Sequence, residues 1–547
     1  MEKLEKVIAK YWIIILLLLS IPAGGALFVQ GYYGASDDMH PAWLFELDKT
    51  IKLGQIPPRY VPDLSFGFGY PLFDFVFPLP FYAAESFHLL GLSLVDSIKA
   101  VFFLSIVLSG YFMFLLLREF STKALSLIGA ILYIYTPYRS VDIYIRGAVG
   151  EIVSFIFFPM IVLSVFKLSS SFDKKWIAIG GVFLAFLIMS HNIAAYMFFP
   201  LLLLLSITVF IFSPKKILFF VNLSFMFTLG LLISCYFWLP ALVESSLMKY
   251  DAVFNFVDHF PTLRQLFTPY WGYGASVPGP GDGMSFFLGI GNILILVTAL
   301  VISIWKWKKL NLKVKILIGW SFACLALVIF LMNHRSTIIW TYFPLLPLFQ
   351  FPWRFLIITT FTIPLLVVVL DQIKFKALGL FAILALILVT SISIFRPQDF
   401  LGRQDDYYLN RYIPYPNASQ EYLTLQEEYL RLPKSNEKRP DKNYPLVFPE
   451  DNIKNINRIN DLSLTFNTEA QEYSEVSINK YYFPGWIGKI DGNTAQLYAG
   501  KPFGQISLMI PPGDHKVEVY FKETDFRKIL NFASLAAFLV SLVMVLI

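Results

Sequence analysis

Stretches of about 20 apolar residues recur from one end of this chain to the other, and a helix of that length crosses the apolar core of a bilayer. There every backbone N–H and C=O must find its partner within the segment, so a chain built this way folds as a bundle of spanning helices. The spans read from the sequence are Tyr11–Gln30, Ile98–Leu117, Ala124–Tyr138, Ala148–Phe166, Trp176–Ser190, Ile193–Phe212, Leu218–Pro240, Ser285–Trp305, Ile316–Met332, Phe355–Leu370, Ala377–Phe395 and Lys528–Ile547. A composition of 56% hydrophobic and 15% charged residues excludes an ordinary soluble globular protein. Charge is also unevenly placed: 35 of the 82 charged residues fall in the 132 positions from Arg396 to Arg527. The chain therefore divides into a lipid-soluble body, residues 1–395, a water-soluble domain, 396–527, and a last helix, 528–547.

A net charge of +6, carried by lysines in short clusters, leaves no footprint for nucleic acid. Cys235 and Cys324 both lie in apolar stretches, so the polar domain has neither a disulfide framework nor a cysteine metal site. The first apolar run follows Lys3, Lys6 and Lys10 but is too long for a signal peptide and lacks an A-x-A cleavage site, which reads as a retained first helix.

One apolar stretch, Tyr70–Gly91, holds Asp74, Pro78, Pro80 and Glu85, poor company for a lipid-exposed helix. The positive-inside rule decides its fate. If it does not cross, Lys3/Lys6/Lys10, Arg118/Lys123, Lys167/Lys174/Lys175, Lys215/Lys216, Lys306 to Lys315 and Lys374/Lys376 all fall on one side. The expected fold is thus a polytopic α-helical membrane protein of about 12 transmembrane helices, with both termini cytoplasmic and the polar domain outside, before the last helix. Arg527 and Lys528 stand against the rule. Within the polar domain, alternating stretches at Ser474–Ile478, Ile506–Ile510 and Lys516–Tyr520, with turn signals at Asp491-Gly492 and Pro511 to Asp514, predict a small β sandwich. Pro414–Asp451 reads as a loose connector.

Chemistry points first to Asp37 and Asp38, just beyond the first span. Adjacent carboxylates at that depth suit holding a divalent cation, or accepting a proton from a hydroxyl while the partner orients it. The plain alternative is a solvated loop that caps the helix starting near Pro41. From Pro41 to Gln55, Trp43, Leu44, Leu47 and Ile51 repeat at helical spacing, an amphipathic helix suited to lying along the outer leaflet. A first external loop, 31–97, that hugs the bilayer would set the acid pair at headgroup depth.

The first span with its acidic pair, the membrane-hugging loop, Arg146-Gly147-Ala148-Val149-Gly150-Glu151, Ser190-His191-Asn192 and Phe351-Pro352-Trp353-Arg354-Phe355 together resemble the GT-C superfamily of integral membrane glycosyltransferases. Within it the chain is similar to the YfhO-like and 6-pyruvoyl-tetrahydropterin-synthase-related bacterial membrane proteins. Tyr482 to Trp486 and Pro512 to Val517, ahead of the last span, carry the same likeness. The resemblance implies a multi-pass protein of the cytoplasmic membrane that transfers a sugar from a polyprenyl-phosphate donor to an extracytoplasmic glycan, lipid or protein acceptor. It also implies a catalytic acid in the first external loop, the place of Asp37 and Asp38.

Independently of that likeness, a sugar carbon leaving phosphate develops positive charge, so a carboxylate and a phosphate-binding cation both lower the barrier. Candidates to bind substrate are Arg146 with Glu151, His191 with Asn192, Arg354, and His40; for Arg146 and Glu151, five residues apart with Gly147 and Gly150 letting backbones approach, the alternative is a buried ion pair. Arg139 and Arg335 read as interfacial arginines that snorkel to headgroups. Asp37, Asp38 and His191 would supply O and N ligands to a divalent metal, Mg or Mn, the alternative for a lone His being a simple hydrogen bond. Trp271, Tyr270 and Tyr273, in a Gly-rich outer loop, suit stacking on sugars or anchoring at the interface. The expected activity is an inverting glycosyltransferase. Its rivals are a lipid or glycan transporter or flippase, and a non-catalytic assembly protein with the same fold.

Overall fold

The computed structural model describes residues 2–249, 255–373, 377–413, 432–440, 442 and 444–546. Among these, nine helices are long and apolar enough to cross a membrane: Lys10–Phe28, Leu94–Arg118, Val149–Ser170, Asn192–Phe212, Lys216–Ile233, Ile290–Lys309, Leu312–Leu331, Pro352–Gln372 and Asp525–Leu546. Three shorter apolar helices, Lys123–Ile134, Lys175–Ser190 and Gly379–Ile394, accompany them. Each of the twelve expected spans overlaps one of these helices, three of which, at 10–17 residues, are shorter than the nine. The chain is an integral membrane protein by this measure. Lys374 and Lys376 lie outside the described residues.

Burial ranks the helices. Val149–Ser170 and Pro352–Gln372 are enclosed along their most apolar stretch, whereas Asp525–Leu546 is 17% buried and Lys10–Phe28 is 28% buried. Two helices thus form the hub of the bundle, and both begin beside the candidate site. Tyr70–Gly91 does not form a span. It breaks into two short helices, Leu72–Phe75 and Leu79–Leu89, because Pro78 and Pro80 interrupt the backbone and Asp74 needs a partner. That partner is Arg59, 3.0 Å away, with Arg527 3.2 Å from the other oxygen. Arg527 also holds Glu244 at 2.8 Å. The arginine that breaks the positive-inside rule is therefore a fully buried clamp joining the first loop, the helix Cys235–Glu244 and the last helix.

Among the described residues, nine strands follow in chain order: β1 Val447–Phe448, β2 Ile453–Asn460, β3 Ser463–Ala470, β4 Ser474–Tyr481, β5 Trp486–Ile490, β6 Asn493–Ala495, β7 Tyr498–Ala499, β8 Gln505–Ile510 and β9 Gly513–Phe521. They form a sheet in the order β1-β4-β8-β7 and a second in the order β2-β3-β9-β5-β6. Alternate residues of both, among them Leu464, Phe466, Val476, Ile478, Ile506, Leu508, Val517 and Val519, share one buried core, which is the expected sandwich. Asp491 and Gly492, both at positive φ, make the two-residue turn of the β5–β6 hairpin.

Three expectations are corrected. The helix His40–Lys52 packs its apolar stripe on protein: nine of its residues are buried, Glu46 among them, against the helices Leu79–Leu89, Leu94–Arg118 and Asp405–Tyr412. Its polar face is covered because Lys49 bridges Asp63 and Asp461, both at 2.5 Å, which seats the sandwich on this loop. Residues 432–440, read as part of a loose connector, are fixed: Lys249 Nζ donates to Asn436 at 3.1 Å, and Asn436 Nδ2 donates to the Phe503 carbonyl at 2.9 Å. Residues 414–431 of that connector lie outside the described residues. Finally, Asp405–Tyr412, within the expected polar domain, packs on the helical body, where Tyr408 is buried in its core.

Candidate functional site

The acidic loop is laced to the segment that precedes the hub helix. The Ser36 amide donates to the Ile145 carbonyl at 3.0 Å and the Asp37 amide to the Arg146 carbonyl at 2.7 Å. Gly147 makes this approach possible. It adopts φ +71, and a Cβ there would meet Ala35 at 3.0 Å and the Asp37 carbonyl at 3.2 Å. A Cβ on Gly150 would lie 2.5 Å from the Phe77 ring and 2.6 Å from the Ser190 carbonyl, so this glycine lets the starts of two helices converge.

Arg146 sits at the centre of what results, 8% exposed. Its Nη1 donates to Asp142 at 2.5 Å, Glu151 at 2.8 Å and the Tyr138 hydroxyl at 3.2 Å, while that hydroxyl donates to the other Glu151 oxygen at 2.5 Å. Burial and then the Glu151 charge push the Asp142 carboxyl well above the usual carboxylate range. The expected Arg146–Glu151 pair is thus present. Asp142 and Tyr138 were not singled out from the sequence, although Asp142 stands four residues before Arg146, the spacing of a helical ion pair.

Arg354 approaches from the start of the second hub helix. Its guanidinium lies 5.9 Å from the Trp353 ring, whose other neighbour is Arg146 at 4.9 Å, so one indole carries two cations. Arg354 is within electrostatic reach of Arg146, Glu151, Tyr138 and Asp37. Unlike Arg146 it is unsatisfied: its Nε and Nη1 are buried with no hydrogen-bond partner among the described residues, and so is Nε1 of Trp353. Leaving such donors unmet costs about 1–3 kcal/mol each, more for a charged group.

His191 is buried and caps the helix Asn192–Phe212, its Nδ1 accepting the Ala194 amide at 3.1 Å. Nε2 therefore carries the ring proton. Burial drives its pKa down to about 3 against the pull of Glu151, with Arg354 and Arg146 adding to the fall, so the ring is neutral. Asn192 is exposed and accepts its own neighbour's amide, from Ile193 at 3.0 Å. His40 is buried against Trp43 and Phe81.

The two acids part company. Asp38 is 6% exposed and turned to the helix Asp405–Tyr412: it accepts from the Tyr412 hydroxyl and faces Arg411 at 3.5 Å and Arg403 at 3.6 Å. Asp37 is half-buried, on the side of Arg146 and Arg354. The cap position of the following helix is Met39, with no side-chain bond. Among the described residues, no group of three or more His, Cys, Asp or Glu side chains that could hold an ion gathers. Asp38 is drawn to Arg403, Arg411 and Tyr412, whereas Asp37 and His191 share the neighbourhood of Arg146 and Arg354. Arg139 does not snorkel. It is fully buried between Tyr133 and Phe155, donating to Ser109 at 2.6 Å. Arg335 is exposed, as expected.

Taken together, the starts of the helices at Val149, Asn192 and Pro352 converge with two arginines and the Nε2–H of a neutral histidine. Helix starts carry partial positive charge, and here they surround donors that lack acceptors. Such an arrangement suits an anion of phosphate size.

The chain matches no protein-family model and no curated protein. Among solved structures it is similar to the cryo-EM structure of the arabinofuranosyltransferase AftD from Mycobacteria, at 14% sequence identity and a TM-score of 0.42 over 71% of this chain. The chain spans 27% of the length of that protein.

Proposed function

We propose that the protein is a membrane glycosyltransferase that takes a sugar from a polyprenyl-phosphate carrier and passes it to a hydroxyl acceptor on the extracytoplasmic face of the cytoplasmic membrane. The observation that carries this reading is Arg354, half-buried, whose enclosed Nε and Nη1 have no hydrogen-bond partner among the described residues and which stands beside a second arginine and a half-buried carboxylate. Arg matches phosphate because its planar fork donates two parallel bonds. In this reading Arg354, aided by Arg146 and His191, holds the phosphate and stabilises the charge it gathers as the sugar leaves. Asp37 takes the proton of the attacking hydroxyl, while Asp38 fixes the loop through Arg403, Arg411 and Tyr412. The helix Asp405–Tyr412 closes the side of the loop that Asp38 faces.

Binding of polyprenyl phosphate to the purified full chain tests the reading. Arg354→Ala should weaken it by about 10- to 100-fold, the worth of a charged hydrogen bond of roughly 1.5–3 kcal/mol. Arg354→Lys should restore part of the loss. Equal binding by wild type and Arg354→Ala would remove the phosphate assignment.

A further inference from the structure

The outer loop that precedes the helix Ile290–Lys306 contains a side-chain relay that the phosphate site does not use. Asp282, 6% exposed, accepts from Ser276 Oγ at 2.8 Å, from the Val277 amide at 3.1 Å and from Gln265 Nε2 at 2.8 Å. His259 Nδ1 stands 2.8 Å from the same Ser276 oxygen. A serine hydroxyl has one hydrogen, and here it goes to Asp282. Ser276 must therefore accept from His259, which puts the imidazole proton on Nδ1 and leaves the lone pair on Nε2. That atom makes no hydrogen bond among the described residues and is not enclosed.

Position gives this lone pair its meaning. The His259 ring meets the Phe351 ring edge-on at 4.9 Å, and the Arg354 guanidinium lies 5.6 Å from the other neighbour of that contact, the same Phe351 ring. A bare hydrogen-bond acceptor is thus held one aromatic ring away from the cation proposed to take the phosphate. Tyr270, 46% exposed and donating through its hydroxyl to the Asp282 carbonyl at 2.9 Å, and half-buried Trp271 follow in the same loop and offer aromatic faces. Burial lowers the His259 pKa below its ordinary value, and the facing carboxylates Asp282 and Asp258 only partly oppose this. Aromatic faces beside a fixed polar atom suit the apolar and hydroxyl sides of a sugar ring.

We propose that His259 Nε2 accepts a hydrogen bond from a sugar hydroxyl, which makes residues 259–285 the carbohydrate-recognition face of the site. The inference rests on the transferase reading, and the sugar belongs either to the donor or to a glycan acceptor. His259→Asn retains a donor for Ser276 and removes the Nε2 acceptor; His259→Gln returns an acceptor near that place.

The test is saturation-transfer NMR on the full chain in lipid nanodiscs, with free mannose, glucose, galactose and arabinose as probes. At least one sugar should bind the wild type, bind His259→Asn about tenfold more weakly, the worth of one hydrogen bond, and recover with His259→Gln. Displacement by polyprenyl-phosphate-linked mannose would assign the site to the donor sugar, and binding unaffected by it would assign it to the acceptor. Arg354→Ala should leave the free sugar bound, which separates this inference from the phosphate assignment. Wild-type binding should also weaken only at acid pH, below the ordinary histidine range, because imidazolium can donate but not accept. The inference is overturned by no sugar binding to wild type, by unchanged binding to His259→Asn, by equal losses in both variants, or by pH-independent binding.

Discussion

At the scale of single residues, the acid pair is not a pair. Asp37 and Asp38 are adjacent in the chain, but Asp38 is tied to Tyr412, Arg411 and Arg403, more than 360 positions away, while Asp37 remains beside the hub arginines. Their substitutions should therefore differ in kind. Asp37→Asn keeps the side-chain size and removes the basic oxygen, so sugar transfer should fall by roughly 100-fold or more with expression and melting temperature unchanged. Asp38→Asn leaves two arginines without their carboxylate and should lower the melting temperature as well as activity. Identical behaviour of the two variants in parallel melting and transfer assays would contradict the division of roles. Only part of this was legible in the sequence. Arg146, Gly147, Gly150 and Glu151 announced a close-packed ion pair by their spacing, and the structure contains it. Tyr412 and Arg403 gave no local sign of where they would go, because their contacts are set by tertiary docking rather than by periodicity.

At the scale of elements, the helix His40–Lys52 and strand β4 show how the outer parts are fastened. Lys480 of β4 is 2% exposed and donates to the Pro62 carbonyl at 2.8 Å, in the loop that follows this helix. Burial lowers its pKa to about 8, against the attraction of Asp63, Asp461 and Glu46. The unfolded lysine keeps its proton to about pH 10.4, so between about pH 8 and 10.4 the unfolded state binds more protons than the folded one. Stability from this group therefore rises with pH across that window. The melting temperature of the wild type, measured against Lys480→Met, should show a difference that shifts in favour of the wild type from pH 8 to pH 10. A constant difference would mean the lysine is not titrating in the joint. The amphipathic pattern of the helix identified its apolar stripe correctly, but periodicity cannot say whether lipid or protein covers the other face. Here Lys49 and its two aspartates close it with protein.

At the scale of the whole molecule, the two most enclosed helices start beside Arg146 and Arg354, and the more exposed helices stand around them. The body of apolar helices and the sandwich were legible because burial in lipid demands long apolar runs and a two-layer sheet demands alternation. The relay of His259, Ser276 and Asp282 was not, since three ordinary polar residues in a Gly-rich loop carry no period. Arg527, anomalous for topology, is explained only by the clamp it forms with Asp74 and Glu244. The central claim is that this assembly moves a sugar off a phosphate carrier, with the phosphate on Arg354. The most direct measurement is transfer of radiolabelled sugar from a polyprenyl-phosphate donor to membrane acceptors, comparing wild type, Asp37→Asn and Arg354→Ala at matched expression. The account predicts transfer by the wild type, with losses of roughly 100-fold for Asp37→Asn and about 10- to 100-fold for Arg354→Ala. A wild type that moves the carrier between leaflets without ever transferring its sugar, or full transfer by both variants, would contradict it.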